Sequence, residues 1–290
     1  SGEVAIDVAP LLDAENTADT TLTLAIEPGL YFIDAPGEAS ITIQNWDPPA
    51  GYNTWVAPAA GNASVAANWS QGVPTSDDDI MLGVFSSADM VWDAGVNGLP
   101  DTVASWTQTA DYTGTVTFPI NYTNVVDAVF TNFTVAGNAQ ILGGSWTHPQ
   151  SIYQTSGSAY SLETMRANAR YRLRVSVGGD MTIGSAATIN ATEKGYWRYM
   201  TGSNLYGSHG GLGNGATIQP YGDPKCPTDI GYTHSPGTDS LGKTSSGGGA
   251  VYVAVGGTLT VNGTIAADGS KNSIGGSAAG SIYLQADAVA

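Results

Sequence analysis

Four of the nine lysine and arginine side chains, Arg166, Arg170, Arg172 and Arg174, fall within nine consecutive residues. In the run RYRLRV, Arg170, Arg172 and Arg174 alternate with Tyr171, Leu173 and Val175. A strand with that alternation turns the arginines to one face, so the pattern predicts a basic stripe on the solvent side. Planar guanidinium groups in a row can hold an acidic polysaccharide or a negatively charged neighbour by paired hydrogen bonds. They can equally pair with the chain's own carboxylates, and that plainer reading is preferred. A second cluster follows closely, in Tyr196, Trp197, Tyr199 and Tyr206. Its rings offer stacking platforms for sugar faces, or else fold down and cover a sheet wall, the reading preferred here. Arg170, Arg172, Arg174, Trp197, Tyr199 and Tyr206 are therefore the candidate glycan- or partner-binding residues.

Other reactive residues make weaker constellations. His209, Asp223, Cys226 and His234 lie in one stretch and all can ligate metal, but their spacing is not that of a closed zinc site. Cys226 has no companion pattern that would activate a thiol nucleophile. Asp77-Asp78-Asp79 reads as a solvated turn. Polysaccharide lyases and hydrolases need paired carboxylates, or acids joined by a basic group. Asp180, Asp268 and Asp287 form no repeated acid column, so a non-catalytic protein is expected, with a polysaccharide-active enzyme as the alternative.

Composition narrows the partners. The chain of 290 residues carries 25 acidic against 9 basic side chains, a formal charge of −16. That balance argues against nucleic acid and against an anionic membrane surface, both of which call for clustered cations. No apolar run is long enough to cross a membrane as a helix. A single cysteine permits no disulfide within the chain. With 38 glycines and abundant Thr, Ser, Val and Tyr, strand is favoured over helix throughout.

The first 49 residues alternate apolar and polar positions in TLTLAIEPG (21–29) and ASITIQNWD (39–47), the pattern of half-buried antiparallel strands. A further short strand and an acidic loop are expected in VAIDVAPLLDAENTAD. Asp13-Ala14-Glu15, Thr21 to Leu24, Gly29-Leu30-Tyr31 and Ser40 to Ile43 with Asp47 resemble the C-terminal half of a Calx-beta domain, an immunoglobulin-like sandwich. The resemblance implies a partial β-sandwich over residues 1–49, with Asp13, Glu15 and Asp47 as calcium ligands; no other cofactor is implied. The strands that open such a domain are missing, which implies a longer parent chain or strands supplied by another molecule.

From residue 50 to 290 the informative feature is repetition. Val177-Gly178-Gly179-Asp180-Met181-Thr182-Ile183 lies over Val255-Gly256-Gly257-Thr258-Leu259-Thr260-Val261. Thr188-Ile189 matches Thr264-Ile265 after a two-residue slip, and GSIYLQADAVA from Gly280 restarts the pattern of GAVYVAV from Gly249. β-Branched runs between glycine corners predict short strands that stack on their counterparts one coil away, sharing a dry interior. Such coils depend on their neighbours, and their ends need caps. A glycine- and tyrosine-rich insertion separates the two copies at about 195–246, and SLETMRANAR (161–170) is the one stretch with a helical look. Trp55, Ala67-Asn68-Trp69-Ser70 and Gly72-Val73-Pro74 resemble the start of β-helical regions in bacterial surface proteins and autotransporter passengers. Gly210 to Gly213, Tyr221 to Pro224 and the run from Gly247 are similar to segments of large secreted right-handed β-solenoids. The expectation is an all-β chain: a partial antiparallel sandwich followed by a right-handed parallel β-helix, extracellular or at the cell surface. A structural, fibre or adhesion role follows, with end-to-end self-association through open β edges and surface polysaccharide as the partners to test.

Overall fold

The computed structural model describes residues 20–25, 38–43, 48–121, 130–151, 171–195, 209–210, 222–223, 225–231, 246–270 and 277–290. The chain divides into two compact units, Ser1–Ala50 and Gly51–Ala290. In the first, β1 (Thr20–Ala25) pairs antiparallel with β2 (Glu38–Ile43), Leu22 standing opposite Ile41 and Leu24 opposite Ala39. These are the two alternating runs that the sequence marks as antiparallel strands. The third strand expected before them, and Asp13, Glu15 and Asp47, lie outside the described residues.

The second unit contains β3 (Tyr52–Thr54), β4 (Gly61–Asn62), β5 (Asp79–Leu82), β6 (Met90–Val91), β7 (Thr102–Val103), β8 (Ser105–Gln108) and β9 (Thr115–Thr117). It continues with β10 (Phe133–Val135), β11 (Ala139–Thr147), β12 (Leu173–Val177), β13 (Met181–Asn190), β14 (Ala250–Val261), β15 (Thr264–Ala266) and β16 (Ser281–Val289). Among the described residues these make one sheet of 14 strands, and every strand pair in it is parallel. There is no α-helix among them, only a 3-10 turn at Ala66–Asn68. The unit is all-β and dominated by a parallel sheet that curls on itself.

The pairings sort into three ladders. The first runs β7, β10, β12, the front of β14 and the front of β16. The second runs β3, β5, β8, the front of β11, the front of β13, the rear of β14 and the end of β16. The third runs β4, β6, β9, the rear of β11, the rear of β13 and β15. From β7 onward the chain visits first, second and third ladder in turn, then returns to the first one strand further on; before that, β3–β4 and β5–β6 supply strands to the second and third ladders alone. Strands that share a ladder are therefore successive passes, and residues of equal depth stack in columns.

The columns explain which residues are apolar. Val103, Val135, Val177, Val255 and Ala286 occupy one; Ile80, Trp106, Ala139, Met181, Leu259 and Val289 another; Met90, Val116, Trp146, Ile189 and Ile265 a third. The sequence alignment of the two repeats matches this register: Val177 pairs with Val255, Met181 with Leu259, Ile183 with Val261 and, after the slip, Ile189 with Ile265. Alternate side chains point inward, as in Leu173, Val175 and Val177, all buried. At Gly178 and Gly256 the corner serves close approach rather than positive φ. A Cβ on Gly256 would sit 2.6 Å from the carbonyl oxygen of Gly178, its counterpart one pass below.

The interior changes character along the stack. The early passes hold an aromatic cluster in which Trp92 meets Trp106 at 5.6 Å, Trp106 meets Trp146 at 5.4 Å, and Phe118 meets Phe133 at 4.7 Å. Edge-to-face contacts at such spacing add to the area buried. The later passes are filled by Val, Leu, Ile and Met. Gln108 interrupts the column of Leu82, Ile141 and Ile183, yet is fully buried because its Oε1 accepts the indole N–H of Trp146 at 3.0 Å and of Trp106 at 3.4 Å. Its amide also donates to the carbonyl of Gly143.

Candidate functional site

On the outer side of the first ladder, positions that point away from the core line up as they do inside. Arg174 stands opposite Tyr252, and Tyr252 opposite Tyr283; beside them Ser176, Ala254 and Gln285 form the next outward column. The Arg174 guanidinium lies over the Tyr252 ring, 5.1 Å from its centre, and the Tyr252 and Tyr283 rings are 5.3 Å apart. Strand spacing alone brings these groups into contact, since neighbouring passes lie about 4.8 Å apart.

A short piece of the long insertion closes over this wall. The Asp229 carboxylate sits 3.6 Å from an Arg172 nitrogen, and Arg172 Nε donates to the carbonyl of Thr228. Ser281 Oγ donates to the carbonyl of Asp229 at 2.5 Å, and the Gly231 N–H donates to Gly248 at 2.7 Å. Ile230 is buried. Between that segment and the wall is a cavity of about 310 Å³ lined by Arg172, Arg174, Cys226, Thr228, Tyr252, Tyr283 and Gln285, together with Ala250 and Val251. Among the described residues its lining holds two arginines and no carboxylate.

This corrects the expected basic stripe. Arg172 shares the outward parity of Arg174 but is only 5% exposed, because residues 225–231 cover it and Asp229 pairs with it. Pairing with an internal carboxylate is the plainer reading of the two set out from the sequence. Arg174 alone of the candidate arginines is described as half-buried at an open wall. Arg166, Arg170, Trp197, Tyr199, Tyr206 and His234 fall outside the described residues, as does the stretch 161–170 with its helical look.

The remaining motifs have structural partners. His209 bonds the Ala279 carbonyl at 2.8 Å through Nδ1 and Ser281 Oγ at 3.2 Å through Nε2. Asp223 accepts the backbone N–H of Lys225. Asp78 accepts from Thr75 and from the Asn53 amide, and Asp79 accepts from Ser105, so the aspartate run is a hydrogen-bonded turn. Among the described residues no three His, Cys, Asp or Glu side chains converge as a metal site would require. Nor, among those residues, is any helix long and apolar enough to cross a membrane.

Among the described residues His148 is strongly perturbed. Complete burial pulls its pKa from the ordinary 6.5 down to about 3; Lys194 and Arg172 push the same way, and the Pro149 carbonyl opposes them. The neutral imidazole fits its contacts: Nδ1 donates to Pro149 at 2.8 Å while Nε2 accepts the Ala250 N–H at 3.2 Å. It ties β11 to β14 and faces no open space. Tyr112 is likewise raised, by burial first and then by Asp89, and its hydroxyl donates to the Ala88 carbonyl.

The groove was only half visible in the sequence. Tyr252 is an outward residue of the repeat, and Tyr283 recurs at its place in the tail. Thr228, Cys226 and Gln285 carried no signal, because the covering segment does not repeat. The chain matches no protein-family model, no curated protein and no solved structure.

Proposed function

We propose that residues 51–290 form a right-handed parallel β-solenoid acting outside the cell as a structural or adhesive segment, not as a catalyst. The observation that supports this reading is the register: a residue such as Val177 is stacked on Val135 below and Val255 above, pass after pass. Such stacking builds a rigid support from repeated units, each stabilised by its neighbours. Right-handedness is the strong preference for crossovers between parallel strands of one sheet. The similarity of the Gly247 run to secreted bacterial solenoids favours a surface location. A polysaccharide-active enzyme is the competing reading.

Self-association belongs to the same proposal. At the start of the stack, residues 66–72 lie across β3, with Trp69 against Trp55 at 5.1 Å. β16 pairs on one side with β14. Copies joined end to end through open β edges would continue the stack from one molecule to the next.

Antibodies against the purified chain should label intact producer cells without permeabilisation. Labelling only after permeabilisation contradicts the surface reading. Incubation with acidic and neutral polysaccharides should release no new chain ends; sustained release would establish the enzyme instead.

A further inference from the structure

We infer that the groove between Arg174, Tyr252, Tyr283, Gln285 and Thr228 is a binding site for an acidic saccharide, with a uronate carboxylate held on the Arg174 guanidinium. The inference deepens the adhesive reading above and rests on it for its biological setting.

Three features of the groove carry it. The first is how Arg174 is held. Its guanidinium carbon lies 5.1 Å from the centre of the Tyr252 ring, a contact that holds the group at the wall, and no carboxylate among the described residues pairs with it. A guanidinium edge presents parallel donors that fit a carboxylate in two-point contact. Arg172, by contrast, is consumed by Asp229 and the Thr228 carbonyl and serves as part of the frame.

The second is the charge of the lining. The chain carries −16 and Arg172 is paired with Asp229, yet Arg174 at the cavity wall has no carboxylate within ion-pair distance among the described residues. An anion entering here meets one unneutralised guanidinium in an otherwise acidic protein.

The third is what surrounds the charge. Tyr252 has Arg174 on one side and Tyr283 on the other, so its faces are occupied. Tyr283 is half-buried in the lining of the cavity and offers its ring to a sugar's C–H face. The Gln285 amide, the Thr228 hydroxyl and the tyrosine hydroxyls offer both donors and acceptors, as a hydroxyl-rich ligand needs. A volume of about 310 Å³ is at the small end of ligand pockets and suits a short stretch of a chain rather than a large cofactor.

The test is calorimetric titration of the full chain with oligomers of galacturonate, glucuronate and mannuronate at roughly 0.15 M salt, where long-range repulsion is screened beyond about 8 Å. At least one oligouronate should bind, and its carboxyl-reduced neutral analogue should bind about tenfold more weakly or worse. Arg174→Gln should weaken the acidic oligomer to the level of the neutral one, and Arg174→Lys should fall between. Tyr283→Ala should weaken both forms, and an unchanged unfolding midpoint shows that each variant still folds. Bound oligomer should also slow alkylation of Cys226, which lines the groove and is exposed. Failure of every uronate, binding indifferent to Arg174→Gln, or tighter binding of an oligoglutamate peptide would overturn the inference. Such a failure beside retained labelling of intact cells removes the ligand and leaves the surface role; uronate binding by a protein reached only after permeabilisation does the reverse.

Discussion

The regions around β3 and β16 differ in what lies against their strands, and the side chains record it. Beside β3 the cover is residues 66–72: Trp69 packs on Trp55 and Trp92, Ser70 bonds Thr54 through backbone and side chain, and Asn53 reaches Gly72. Trp55 is accordingly 0% exposed. On β16 the same columns hold side chains that are exposed. Val253 is 0% exposed and its neighbour Leu284 one pass on is 38%; Leu259 is 1% and its neighbour Val289 is 75%. Residue type barely changes across that step. Burial in this architecture is therefore conferred by the adjacent pass, not by the strand itself.

That contrast can be broken at its strong end. Trp106→Ala, in the middle of the aromatic cluster, should lower stability by about 3–5 kcal/mol in denaturant unfolding. A loss below about 1 kcal/mol would mean that the aromatic columns are not the core. Gln108→Leu restores an unbroken aliphatic column but strands the indole N–H groups of Trp106 and Trp146. It should cost about 1–3 kcal/mol despite the gain in apolar character; a stabilised variant would show that the polar bridge is dispensable.

His148 sharpens the comparison midway along the stack. The unfolded chain takes up a proton near pH 6.5, whereas the buried imidazole resists it until about pH 3. Protons thus bind preferentially to the unfolded state in that window, and stability must fall as pH drops from 6.5 toward 3, at up to about 1.4 kcal/mol per pH unit. In His148→Gln that part of the acid sensitivity should disappear, read as a flatter plot of unfolding midpoint against pH. Equal slopes for the two proteins would rule out the buried neutral imidazole. At β16 the effect should be least: Leu284→Ala removes a side chain already partly in water and should cost under about 1 kcal/mol.

How far the sequence could be read depended on whether neighbouring passes resemble one another. Between Leu173 and Val289 they do, and aligning Val177 with Val255 was enough to give strands, corners and register. Between Tyr52 and Thr147 the columns are as regular, but Ile80, Trp106 and Ala139 follow one another at a single position. Large and small residues alternate there to fill one volume, so the stacking has no counterpart in sequence similarity. In the groove, outward Tyr252 and Arg174 followed from strand alternation. The fate of Arg172 did not, because Asp229 and Thr228 arrive from a segment that no repeat predicts.

The most direct test of the stacked-pass account is a disulfide between two passes. Ser176 and Ala254 are partners in the first ladder and both point outward, within the separation that a disulfide can bridge. With Cys226→Ser to remove the native thiol, Ser176→Cys together with Ala254→Cys should cross-link on mild oxidation and raise the unfolding midpoint. The pair Thr182→Cys with Ala254→Cys, drawn from different ladders, should stay reduced. Cross-linking of the second pair in place of the first would show that these strands do not lie in successive passes at this register.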